Sequence, residues 1–195
     1  SLGMSYRDGD RVSASGKIEY RVDSGDLNGS NRDQELLFVS AGARYKISDE
    51  ARVLFGLEYA NTDTDGSNVL DGEYGDVTLG YAYRPILNDK LNVLASYRYL
   101  YDMIGQEIDG TDVRGPRQER HVASLDVTYD LNQQWTVGGK LGLRKSRSSP
   151  SETVPFAQND AWLGVLNARY HVTRKWDALV EARFLDAEQG GFSDM

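Results

Sequence analysis

The chain has 195 residues, no cysteine, 27% charged residues and a net charge of −8. The missing cysteine excludes a disulfide scaffold and thiolate metal centres. The acidic balance argues against nucleic-acid binding, which needs a basic footprint. No run approaches the ~18 apolar residues of a membrane helix, and mean hydropathy is low, −0.55. That test does not reach membrane strands, in which only every second residue need be apolar.

In chain order, the sequence opens at Ser1 and passes directly into an alternating pattern, read as a mature segment or an excised domain. Leu2, Met4 and Tyr6 are the first apolar set. Arg11 to Val22 is the clearest strand: Val12, Ala14, Gly16, Ile18, Tyr20 and Val22 share one face and Ser13, Ser15, Lys17, Glu19 and Arg21 the other. A period of two means a strand, because helical spacing would mix the two sets.

The same reading predicts eight more strands. Their apolar sets are Leu37, Val39, Ala41, Ala43, Tyr45 and Ile47; Val53, Phe55, Leu57 and Tyr59; Val77, Leu79, Tyr81 and Tyr83; and Leu91, Val93, Ala95, Tyr97, Tyr99 and Tyr101. Then come Ala123, Leu125, Val127, Tyr129 and Leu131; Trp135, Val137, Gly139, Leu141 and Leu143; Trp162, Gly164, Leu166, Ala168, Tyr170 and Val172; and Trp176, Ala178, Val180, Ala182 and Phe184. None of these roughly fifty positions is charged, where random faces would carry about thirteen charges.

The connections alternate in kind. Short ones fall at Asp8-Gly9-Asp10, Ser48 to Ala51, Pro85 to Lys90, Asn132 to Gln134 and Thr173 to Lys175; Asp-Gly is a favoured tight-turn pair. Long polar ones are predicted at about 23–35, 61–73, 103–118 and 145–159, with a last one from Asp186. Aromatic residues sit at both ends of the strands. The short-turn ends carry Tyr6, Tyr45, Tyr83, Tyr129, Trp135, Tyr170 and Trp176, and the long-connection ends carry Tyr20, Tyr59, Tyr99, Tyr101, Trp162 and Phe184. Strand middles hold mostly Ala, Gly, Val and Leu. Two aromatic girdles around an aliphatic belt are expected of a membrane barrel; a soluble sandwich would put its largest aromatics mid-core. A repeat near forty residues links Ala43-Arg44-Tyr45-Lys46-Ile47-Ser48 with Ala168-Arg169-Tyr170-His171-Val172-Thr173. Only two strands fit each period, so a propeller blade of four is disfavoured.

On these features the chain resembles a bacterial outer-membrane β-barrel, in the broad group of outer-membrane-protein-A-like barrels and small porins. It also resembles, more distantly, barrel domains that close long bacterial surface proteins. The likeness covers nearly the whole chain and rests on pattern, not on a functional motif. It implies an all-β, antiparallel up-and-down transmembrane β-barrel in a Gram-negative outer membrane, with short turns in the periplasm and long loops outside. Residues 1–195 then form one barrel domain. Barrels of this group have an even strand count and both ends in the periplasm. Ten strands that begin and end outside therefore lead us to expect an intact barrel of twelve or more, incomplete here at both ends. The chain also departs from the group by ending at Ser193-Asp194-Met195 rather than in a strand closed by an aromatic residue.

The resemblance assigns the second face to a lumen. The candidate lumen-lining residues are Lys17, Glu19, Arg21, Arg44, Glu58, Arg84, Arg98, Asp126, Lys140, Arg169, Glu181 and Arg183, joined by Lys46, Asp76, Asp102, Asp130 and Arg144. Two readings follow: ion pairs that fill and stiffen a narrow barrel, or a water-filled pore with a charged constriction. Rings of arginine favour anions, with Arg44, Arg98, Arg169 and Arg183 foremost; the alternative is that each pairs with a neighbouring carboxylate. The candidate girdle is Tyr6, Tyr20, Tyr45, Tyr59, Tyr83, Tyr99, Tyr129, Trp135, Trp162, Tyr170, Trp176 and Phe184.

Other chemistry is weakly signalled. Asn61-Thr62-Asp63-Thr64-Asp65-Gly66-Ser67 resembles the start of a calcium loop, but Gly72 stands where the bidentate Glu belongs. Asp63 and Asp65 remain weak metal candidates, and no cofactor is expected. Asp23, Asp26 and Asp33 make a second acidic segment. The two histidines, His121 and His171, lack a partnered serine; Ser124 has the opposite parity to His121. No catalytic residue is assigned, and an enzyme is not expected, although Asp126 and Asp130 share one face. Expected partners are outer-membrane lipid, lipopolysaccharide, and small solutes or ions. An anchor, adhesin or receptor acting through the long loops is the alternative function.

Overall fold

The structure is a computed structural model of residues 1–195 and describes all but 28–29, 65–70, 88–89, 109–110, 174 and 191–195; the side chains of 25–32, 106–112 and 189 are likewise left out. Ten strands form a single antiparallel sheet in chain order, β1 to β10. They are β1 (Leu2–Asp8), β2 (Val12–Leu27), β3 (Ser30–Lys46), β4 (Ala51–Thr64), β5 (Gly72–Tyr83), β6 (Leu91–Ile108), β7 (Thr111–Asp130), β8 (Trp135–Ser149), β9 (Ala157–Thr173) and β10 (Trp176–Gln189). This is the expected all-β, up-and-down architecture. β1 pairs with β2 and β10 with β9, and among the described residues the two outermost strands do not pair with each other.

Register decides what alternation alone leaves open: whether ten apolar sets fall on one side. They do. Leu2 faces Ile18, which faces Val39, which faces Tyr59. Phe55 faces Leu79, which faces Tyr97, then Ala123, Leu143 and Trp162. At the last strand Ala168 faces Val180 and Leu166 faces Ala182. Paired residues in an antiparallel ladder point the same way, so one face is apolar from edge to edge. Nothing in the described structure covers it. Val180 is 73% exposed and Leu166 62%, and among the described residues Ala51, Met103 and Val165 are the apolar side chains that are buried. A contiguous apolar face of this size far exceeds the few hundred Å² that a soluble monomer tolerates.

The long connections differ from expectation. β2 and β3 continue to Leu27 and Ser30, and β6 and β7 to Ile108 and Thr111, so most of 23–35 and 103–118 is paired strand. β6 has 18 residues and β7 20, against ~9–11 needed to cross a bilayer. Backbone pairing needs no alternation. Once both faces are wet, the side-chain pattern lapses while the ladder runs on.

Inside β7, opposite the register shift in β6, a positive φ of 128° at Gly115 precedes a cis bond to Pro116. A Cβ at Gly115 would lie 2.6 Å from the Cα of Ser151 and 3.1 Å from the Pro150 carbonyl oxygen. Gly115→Ala should therefore displace the β8–β9 connection and cost about 1–3 kcal/mol. Faster proteolysis between 113 and 156, with the rest of the sheet protected, is the expected readout.

The short-turn end is held by side chains. Lys46 Nζ reaches Asp10 at 3.0 Å and Asp49 at 2.6 Å, bridging two turns. The hydrogen bond from Lys46 holds the Asp10 carboxyl below the usual carboxylate range. Asn132 Oδ1 accepts from the backbone N–H of Gln134 and Trp135.

Candidate functional site: the polar face of the sheet

The opposite face collects the charges. Alternate positions place Arg7 on it from β1, Lys17, Glu19, Arg21 and Asp23 from β2, and Arg44 and Lys46 from β3. Arg52 and Glu58 follow from β4, Asp76 from β5, Arg98 and Asp102 from β6, and Arg120, Asp126 and Asp130 from β7. Lys140, Arg144, Arg169, Asp177, Glu181 and Arg183 follow from β8 to β10. Among the described residues cations outnumber carboxylates here, although the chain is net acidic. The surplus acid lies beyond the apolar belt, at positions such as Glu35, Asp63, Glu73, Asp160, Asp186 and Glu188.

Eleven of the twelve lumen candidates lie in the ladder as expected from their parity. Arg84 does not. It sits one residue past β5, exposed in the turn, with its N–H bonded to the Glu50 carbonyl. The Pro that follows disfavours continuation. Sequence reasoning passed over Arg7, Arg52 and Arg120, which the same period of two would have found. It also treated this face as uniformly polar. Leu54, Leu94, Leu179 and Leu185 project from it and are exposed.

Pairing divides the cations into two groups. Arg98 grips Asp76 through Nε and a terminal nitrogen, and Asp76 also accepts from Tyr74 Oη at 3.1 Å and Thr78 Oγ1 at 3.3 Å. Lys17 pairs with Glu19 at 2.5 Å, Arg21 with Asp23 at 2.6 Å, and Arg183 with Glu181. Lys140 stands 3.9 Å from Asp126. Arg144 donates to the Asn159 side-chain oxygen at 2.9 Å. Arg44 and Arg169 have no carboxylate within 4 Å among the described residues. Of the four foremost arginines, then, Arg98 and Arg183 are neutralised and Arg44 and Arg169 are not.

The girdle residues stand on the apolar face at the two ends of the belt. Their polar tips reach toward the charged positions beyond it: Tyr59 Oη donates to Glu73 at 3.4 Å and Trp162 Nε1 to Asp186 at 3.2 Å. Trp135 and Tyr170 stack at 4.7 Å at the other end. This suits rings with one apolar and one wet side. Trp176 sits at a register shift next to Asp177, facing Thr173. Tyr6, Tyr20, Tyr45, Tyr83, Tyr99, Tyr129 and Phe184 hold the expected parity.

The histidines lie apart. His121 shares the apolar-face parity and binds Tyr97 Oη through Nδ1 at 2.8 Å; His171 Nδ1 lies 2.7 Å from Asp177 on the polar face. Ser124 bonds Ser96 instead, at 2.8 Å. Asp63 lies in β4 opposite Glu35, and Asp65 falls outside the described residues. Among the described residues no cluster of three or more metal-type ligands forms. A group missed in sequence lies past the belt, where Arg117 and Arg147 flank the Phe156 ring at 4.4 and 4.7 Å and Arg147 pairs with Glu119 at 2.5 Å.

No family model matches the sequence, and no curated protein matches it. Among solved structures, the chain is similar to the beta domain of the Bordetella autotransporter BrkA, at 15% identity over 92% of this chain and 80% of that one, TM-score 0.37. It is similar to the CymD monoaromatic hydrocarbon channel at 12% identity, over 97% and 68%, TM-score 0.36. It is also similar to the NanC porin at 17% identity, over 95% and 96%, TM-score 0.30. Likeness at this level leaves function to be read from the two faces themselves.

Proposed function

We propose that this chain forms the wall of a bacterial outer-membrane β-barrel, with its apolar face in lipid, and that its polar face lines a passive path for small anionic solutes. The observation that carries this reading is the excess of cations on the polar face of an acidic chain, with Arg44 and Arg169 left without carboxylate partners among the described residues. Rings of fixed cations lower the electrostatic barrier for anions. The paired charges stiffen the wall without adding to its net field. Its partners in this role are membrane lipid, lipopolysaccharide and small ions. The role involves no covalent catalysis and no cofactor.

The test is the reversal potential of the full-length protein in a planar bilayer under a salt gradient. We expect the sign of an anion-preferring channel, and a shift toward cations in Arg169→Glu. Absence of conductance, or a cation preference in the unaltered protein, overturns the reading.

A further inference from the structure

An open cavity of about 660 Å³ lies where β1, β2 and β3 meet. From the polar face it is lined by Ser5, Arg7, Ser13, Ser15, Gly42 and Arg44, with Leu54 of β4 beside Arg44. Register explains the grouping. Arg7 faces Ser13 and Ser13 faces Arg44, so the two arginines flank one serine in a single cross-strand row. The next row is Ser5, Ser15 and Gly42. Neighbouring strands are ~4.8 Å apart, which separates the two arginine backbones by about 10 Å. Long guanidinium side chains span that gap to one bound group.

Among the described residues no carboxylate lines this cavity, in contrast to the surroundings of Lys17, Arg98 and Arg183, each of which has a carboxylate partner. Arg7 Nε donates to the Gly9 carbonyl at 3.3 Å, and no carboxylate lies within 4 Å of Arg7 among the described residues. Asp10 is engaged by Lys46. The floor is open at Gly42, where a Cβ would meet only Ser15 Oγ at 3.7 Å and the Phe55 carbonyl oxygen at 3.9 Å. Two planar five-donor forks and three hydroxyls able to donate, with no carboxylate among them, form a donor-rich surface.

We infer that the β1–β3 cavity is a binding subsite for an oxyanion, a planar carboxylate or a tetrahedral phosphate, held between Arg7 and Arg44 with serine hydroxyls beneath. The subsite rests on the membrane-channel reading for its role, but its occupancy is measured independently of conduction. The arginines accept bidentate oxygen pairs, and each charge-assisted bond is stronger than a neutral one. A solute that pauses here is selected by charge before it moves on.

The experiment is calorimetric titration of the full-length protein, folded in detergent, with succinate and, separately, with inorganic phosphate. Saturable binding is expected, weakened about tenfold by Arg44→Gln or by Arg7→Gln, the loss of one charge-assisted pair. Lys175→Gln, which removes a cation from the distant β9–β10 turn, should leave binding unchanged. Gly42→Glu places a carboxylate in the cavity and should abolish binding while strand content by circular dichroism stays intact. Binding of succinate alone assigns a carboxylate site, and of phosphate alone a phosphate site. No saturable binding of either, or equal binding by Arg44→Gln and the unaltered protein, overturns the inference. Binding without conductance would leave the subsite standing and remove the channel; anion-selective conductance without binding would do the reverse.

Discussion

Val39→Arg, Ala95→Arg and Val180→Arg should each weaken insertion into lipid vesicles, with a cost of about 2–4 kcal/mol for a charge near the midplane. Val39 lies between Ile18 and Tyr59, and Ala95 between Tyr81 and Leu125, in the middle of the apolar face. Val180 faces Ala168 and is 73% exposed. An arginine at any of these positions has no carboxylate neighbour on its own face and cannot reach water across the belt. Lys17→Gln on the other face removes a charge that already has Glu19 as partner, and its effect should be well under 1 kcal/mol. Urea titration of vesicle-inserted protein, followed by the mobility shift of folded barrels on unheated gels, gives both numbers. Equal sensitivity of the two faces would contradict the assignment of lipid to the apolar one.

Arg98→Leu should destabilise the sheet by about 2–3 kcal/mol, the scale of hydrogen bonds to a charged group. Asp76 is only 6% exposed, whereas the Arg98 side chain is more than half exposed. The loss therefore falls mainly on the acid, whose nearest cation is gone. Tyr74 and Thr78 still donate to it, which keeps the cost below that of stripping a buried carboxylate bare. Asp76→Leu combined with Arg98→Leu should recover most of the stability, because the double change leaves no uncompensated charge. A double-mutant cycle by urea titration measures the coupling. Additive losses would show that the two residues act separately.

Arg44 and Arg98 look alike in sequence: both are inward by parity and both are expected to matter for anions. The fold separates them. Arg98 meets Asp76 across β5 and β6, while Arg44 meets Ser13 and Leu54. Nothing local to either arginine announces this, since Asp76 and Ser13 lie more than twenty residues away along the chain. The outer hairpins teach a related lesson. Arg117 and Arg147 fall in predicted loops, because alternation stops there, yet both are held in register by the same ladder that runs through the belt.

The sequence by itself determined the strands, their two faces and the aromatic ends, because a period of two is a property of consecutive residues and survives whatever the neighbours are. The tertiary structure alone decided which charges are neutralised, where Arg7, Ser13 and Arg44 gather into one row, and how far the strands outrun the apolar belt. Those depend on register between strands, which is fixed by contacts distant along the chain, and on backbone pairing, which leaves no mark on side-chain pattern once both faces meet water.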